Sequence, residues 1–140
     1  MVTLTDTRTL DPEVKQLAED IRAAQAPEVE TMVDWLTAWR KQLPETSMDH
    51  SNGDHAMSEM PDVDLPGMMS GDDMQALADA PDADFQDMWL EMMKKHHEGA
   101  IEMAKTEQQD GRFPEATALA ESIQTTQEAE IKKIDELLGS

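Results

Sequence analysis

Residues 88–104 read MWLEMMKKHHEGAIEMA. Met92 stands four residues before His96, and Met93 four before His97. On a helix, side chains at i and i+4 share a face, with Cβ atoms about 5–6 Å apart. An imidazole and a thioether so placed make a two-point clamp for a soft cation. Methionine sulfur suits Cu(I) and Ag(I), and imidazole suits copper generally. The plainer alternative is that these methionines fill a core and the histidines are hydrogen-bonded inside it.

At 3.6 residues per turn, Phe85, Trp89, Met93, Ala100 and Ala104 form an apolar stripe with His96 at its middle. Met92, Gly99 and Met103 flank that stripe on one side, and His97 lies on the other. Lys94, Lys95, Glu98 and Glu102 point outward. Gly99 costs a helix about 1 kcal/mol relative to Ala. Its expected use is close approach by another helix or a ligand.

A second group of soft donors lies upstream, in Met48-Asp49-His50 and in Asp54-His55-Ala56-Met57-Ser58-Glu59-Met60. Ten of the twelve methionines fall between residues 48 and 103, and all four histidines have methionines near them. A loop has no core to fill, so packing does not explain Met48, Met57 and Met60. A methionine-rich linker, or an apolar patch for a partner, would be the alternatives to metal capture. The chain has no cysteine. Soft-metal binding without thiols suits the oxidising space outside the cytoplasm.

Other chemistries fail on spacing. No Glu-x-x-His occurs, so the carboxylate-bridged di-iron signature is absent. His97-Glu98 lacks the second histidine of a zinc His-Glu-x-x-His motif. Asp62-Val63-Asp64 opens like a calcium loop, but Pro66 replaces a ligand and Asp73 stands where a bidentate Glu belongs. There is no glycine-rich phosphate loop, and no Ser/His/Asp triad can be argued.

The formal net charge of −20 argues against nucleic acid as a partner, because phosphates would be repelled. The same field attracts cations, although most of the acids are expected to form solvated helix faces. Only 39% of the residues are apolar and 4% aromatic. A core that modest suits amphipathic helices, and the wealth of Ala, Glu, Gln, Leu, Lys and Met predicts an all-α fold. No apolar run is long enough to span a membrane. The opening MVTLTDTRTLD has neither the basic nor the apolar region of a signal peptide.

The elements that position these donors can be read in outline. Asp11-Pro12 starts a helix that runs to about Leu43 with a kink at Pro27. Its apolar phase persists through Leu17, Ile21, Val29, Met32, Leu36, Trp39 and Leu43. Residues 44–70 read as a long loop. A short helix follows at 71–80, capped by Ser70 or Asp72. A long one then starts at Asp82 or Asp84, runs to about Gln109 and is ended by Gly111. Pro114 opens the last helix, which reaches Leu138.

Residues 12–36 repeat as 114–138, with a constant offset of 102 and nine identities in 25 positions. Gln25-x-x-Glu28 recurs as Gln127-x-x-Glu130, on the same side as the apolar residues of each helix. Such inward polar groups need partners, unless they sit at the stripe's edge and reach water. In the second unit a histidine helix precedes the repeated segment, whereas Met1 falls opposite Met103. The repeat therefore predicts about 18 further residues of matching unit upstream in a full-length or ancestral form. The expected organisation is a single helical domain over 1–140. Residues 1–43 are the remnant of a first unit, 44–70 the Met/His-rich loop and 71–138 the second unit.

Asp84-Phe85, Met92-Met93-x-x-His96-His97-x-Gly99-Ala100-Ile101-x-Met103-Ala104 and Leu119-Ala120-x-x-Ile123-x-x-x-Gln127-x-x-Glu130-Ile131 together resemble domain-of-unknown-function family 305 (DUF305). The resemblance covers most of 12–43 and 67–138. It implies a ferritin-like four-helix bundle of two helical pairs, here without the first histidine helix. A four-helix core would then need the short 71–80 helix, another copy of the chain, or the upstream segment. Copper-binding members of the CopM kind are exported and linked to copper tolerance, which implies an extracytoplasmic protein.

The expectation is a non-enzymatic copper protein, with Cu(I) favoured and Ag(I) or Cu(II) as alternatives. His96, His97, Met92, Met93 and Met103 would bind within the bundle. His50, His55, Met48, Met57 and Met60 would capture metal on the loop. Gln25, Glu28, Gln127 and Glu130 match the family's paired helices, with Glu28 and Glu130 expected to orient the imidazoles. A methionine-rich interaction module and, more remotely, a ferritin-like oxidase are the rival readings.

Overall fold

A computed structural model describes residues 1–40 and 65–139. Among them there are four α-helices and no strand: α1 (Pro12–Ala38), α2 (Gly71–Asp79), α3 (Asp82–Asp110) and α4 (Pro114–Leu138). A 3-10 turn at Val2–Thr5, not anticipated from the sequence, precedes them. The all-α expectation holds.

Local chemistry accounts for most boundaries. Pro12 and Pro114 occupy the first turns of α1 and α4, where a missing N–H costs nothing. Ser70 caps α2 through a reciprocal box: its hydroxyl accepts from the Asp73 N–H, and Asp73 accepts from the Ser70 N–H. Asp11 stands at the N-cap of α1 but makes no side-chain cap bond. It instead exchanges hydrogen bonds with Gln86, at 3.0 and 3.1 Å, joining the starts of α1 and α3. Helix α1 continues through Pro27 and ends at Ala38, short of the expected Leu43. The backbone leaves the helix at Arg40, whose φ is +54°, a left-handed turn that cannot extend a right-handed helix.

Helices α3 and α4 form an antiparallel hairpin. Lys94 pairs with Asp135 at 2.5 Å near one end, and Gln108 donates to Gln124 at 2.9 Å near the other. Helix α1 lies antiparallel to α4, with Trp35 against Phe113 at the start of α4. The core occupies one end of this assembly. Val14, Leu17 and Ile21 of α1, Leu77 of α2, and Ile134 of α4 surround Phe85, Trp89, Leu90 and Met93 of α3. Arg8 clasps the same end: it donates to the Ala80 carbonyl (2.9 Å) and to the Ala78 carbonyl at the close of α2, pairs with Asp82, and lies 4.6 Å over the Phe85 ring. Trp89 Nε1 donates to the Met1 carbonyl at 3.4 Å.

Gly99 is explained by chain crossing rather than by a helix or ligand. The Pro66–Gly67 backbone passes directly over it, and a Cβ there would collide with the Pro66 carbonyl. Gly67 has φ +74°, and a Cβ on it would meet the Lys95 carbonyl at 2.7 Å. Two glycines thus let backbone touch backbone. Gly99→Ala, although favourable by helix propensity, is expected to lower Tm because Pro66–Gly67 must lift away. Phe85→Ala should cost about 3–5 kcal/mol as a cavity mutation. Denaturant and thermal unfolding check both.

Candidate functional site

The two adjacent histidines occupy different environments. His97 has no exposed surface. Its Nε2 lies 2.7 Å from Glu130 Oε2. A carboxylate accepts, so Nε2 carries the proton and donates. In the neutral ring Nδ1 then holds a lone pair, and it has no hydrogen-bond partner among the described residues. Gln127, one turn before Glu130 on α4, is also buried, and its Oε1 is likewise unpaired among the described residues. Buried polar atoms left so are uncommon and costly.

His96 is half-buried, and its Nδ1 lies 3.3 Å from the Gly67 carbonyl, to which it donates. Burial pushes its pKa down, the Gly67 bond opposes that, and the nearby His97 lowers it further. The lowered pKa favours the neutral ring, and Nε2 has no hydrogen-bond partner among the described residues. The ring centroids of His96 and His97 are 6.4 Å apart.

These positions correct the helical-wheel expectation. His97, not His96, is the central buried histidine, because the covered face of α3 follows the four-residue row 85, 89, 93, 97, 101. A wheel assumes one neighbour along the whole helix. Here α1, α2 and the N-terminal turn cover the first half of α3, while α4 follows its length.

The soft donors divide accordingly. Met93 is in the core, Met92 packs at its margin, and Met103 is 40% exposed. His96 and Met103 line one wall of an apolar groove of about 710 Å³ between the second half of α1, the second half of α3 and the first half of α4. Gln25 and Glu28 also line it. His50, His55, Met48, Met57 and Met60 lie outside the described residues. Among the described residues, no group of three or more His, Asp or Glu converges on a point. His96 and Met103 share the groove, whereas Met93 and His97 are buried in the interior.

The sequence reading missed the groove's aromatic end. Trp35 and Trp39 meet edge-on with Phe113, at centroid distances of 5.2 and 5.1 Å. Two of only three tryptophans standing one turn apart were the available signal.

An all-α protein with a histidine–carboxylate pair inside a three-helix packing is the class these features define. Residues 1–138 match the family described as "Domain of unknown function (DUF305)", and the chain belongs to it. The match is wider than the segments that carried the resemblance. A DUF305 protein from Streptomyces coelicolor, provisionally described as secreted, is 27% identical, with 99% of this chain and 79% of that one covered and a TM-score of 0.79. A DUF305 fragment from Deinococcus radiodurans is 24% identical, with 99% and 83% covered and a TM-score of 0.78, and shares the fold. No curated protein matches significantly. No described helix is long and apolar enough to cross a membrane.

Glu28 has a raised pKa, first from burial and then from the charge of Glu130. Its charge therefore costs stability above its folded pKa, and that cost vanishes below the ordinary carboxylate range, where folded and unfolded forms are both protonated. Glu28→Gln should raise Tm at pH 7, and the gain should fade as pH drops through 4. Thermal unfolding of both proteins across pH checks the sign.

Proposed function

We propose that this protein binds and sequesters copper, with Cu(I) favoured over Ag(I) and Cu(II), and that it works outside the cytoplasm in copper tolerance or homeostasis. The observation that carries the reading is His97. Its Nε2–H is held by Glu130 at 2.7 Å, which leaves a buried Nδ1 lone pair without a hydrogen-bond partner among the described residues. A carboxylate behind an imidazole fixes its tautomer and strengthens it as a ligand. His96 contributes a second neutral imidazole on the adjacent face. Met92, Met93 and Met103 supply thioethers within two turns, and soft thioethers select the monovalent ion.

Glu130 orients His97, and Glu28 is its counterpart in the repeat. The loop donors His50, His55, Met48, Met57 and Met60 enter the proposal from the sequence alone, as a capture station that passes metal inward. The ferritin-like bundle of two helical pairs belongs to the same reading. A related protein provisionally described as secreted supports the location.

Cu(I) titration against a competing chelator tests this. Glu130→Gln should weaken the helical site about 10–100-fold, and His97→Asn should abolish it while circular dichroism still shows the helices. Deleting residues 45–64 should remove loop sites and leave the helical one. Retention unchanged by both Glu130→Gln and His97→Asn would overturn the assignment.

A further inference from the structure

A tight turn is seated against α3 beside His96. In Leu65-Pro66-Gly67-Met68 the Met68 N–H donates to the Leu65 carbonyl at 3.1 Å. Proline second, glycine third and a Gly67 φ of +74° are the signature of a type II turn. The Pro66 carbonyl occupies the space that a Gly99 Cβ would need. Gly67 rests on the helix backbone, where its own Cβ would come within 2.7 Å of the Lys95 carbonyl and 2.9 Å of the His96 carbonyl. Downstream, Ser70 caps α2, whose Leu77 is buried in the core. The turn is thus fixed by its own geometry, by the two glycines and by the helix that follows it.

The consequence falls on the imidazole. The Gly67 carbonyl can only accept, so the His96 ring that faces it carries its proton on Nδ1 and its lone pair on Nε2. At 3.3 Å the contact is long for an N–H···O bond. It orients the ring because the turn holds the carbonyl still. His97 is the reverse case: Glu130 accepts from Nε2 at 2.7 Å, and the lone pair sits on Nδ1. Among the described residues neither lone pair has a hydrogen-bond partner. Two neighbouring rings, with centroids 6.4 Å apart and planes at 67°, therefore present different nitrogens.

We infer that the Leu65–Met68 turn is the positioning element of His96, and that it and Glu130 hold the adjacent histidines in opposite tautomers, offering a cation Nε2 of one ring and Nδ1 of the other. The identity of the cation rests on the copper reading, whereas the tautomers belong to the metal-free protein. Gly67 and Gly99 are positioning residues: they act through the shape that lets the carbonyl reach the ring. By helix propensity alone Gly99→Ala would be favourable. Here it lifts the turn, frees His96 and spares His97, whose partner comes from α4.

Long-range proton–nitrogen correlation spectra of the full chain, labelled at the histidine nitrogens and kept metal-free by chelator at about pH 8, where neutral imidazole prevails, read the tautomers directly. His96→Gln and His97→Asn assign the rings. His96 should carry its proton on Nδ1 and His97 on Nε2. Gly99→Ala and Gly67→Ala should each turn His96 into a mixture of tautomers and leave His97 unchanged. Val14→Ala, a core truncation at the start of α1, should lower Tm without moving either ring, which separates positioning from general loss of stability. With chelator removed, diamagnetic Ag(I) should shift His96 Nε2 and His97 Nδ1 most, and Gly99→Ala should weaken its binding about 10–100-fold. A His96 protonated on Nε2 in the unsubstituted chain would overturn the inference, whether or not the glycine variants fold. So would a His96 tautomer indifferent to both glycine substitutions. The expected tautomers with rings that ignore Ag(I) would instead overturn the copper reading and leave the tautomer assignment standing.

Discussion

The first half of α3 is the structure's dependency. Phe85, Trp89, Met93 and His97 follow one four-residue row and enter a space enclosed by α1 and α4. Phe85 and Trp89, the largest apolar side chains of that row, are fully buried in a chain with only five aromatic residues. The row ends on a histidine rather than another apolar residue. That histidine is tolerated there because Glu130 reaches it from α4. An imidazole with neither water nor partner would destabilise the packing by the desolvation cost of its N–H.

From that constraint follow the chemical differences between neighbours. His97 is oriented by a side chain and His96 by a backbone carbonyl. The carbonyl is within reach because Gly67 and Gly99 allow two backbones to touch. One ring is thus committed to the interior and the other to the groove. The thioethers divide in the same way, Met93 inward and Met103 outward.

The repeat gives the molecule an approximate symmetry that its packing does not complete. The same apolar pattern runs along both halves of α1; among the described residues the half before Pro27 buries Val14, Leu17, Ala18 and Ile21, and the half after it leaves Val29, Met32 and Val33 exposed. The half after it ends in the Trp35–Trp39–Phe113 cluster.

The sequence by itself determined the all-α class, the starts of α1 and α4, the capped α2, and the lengths of α3 and α4. These depend on local chemistry: prolines at first turns, a serine–aspartate box, and an apolar period. Gln127 and Glu130 were also legible as inward polar groups, since the repeat brings them back at the same phase. Where α1 stops was not legible, because Arg40 turns left-handed where the apolar period continues. Which histidine is buried was not legible either. That depends on how many neighbours press on α3 and from which sides, and a helical wheel holds no neighbours. Glu130 was expected to orient an imidazole, but that it meets His97 rather than His96, the glycine crossing and the aromatic end of the groove were decided by tertiary structure alone. Each joins residues far apart in the sequence, and only the packing of the helices settles which of them meet.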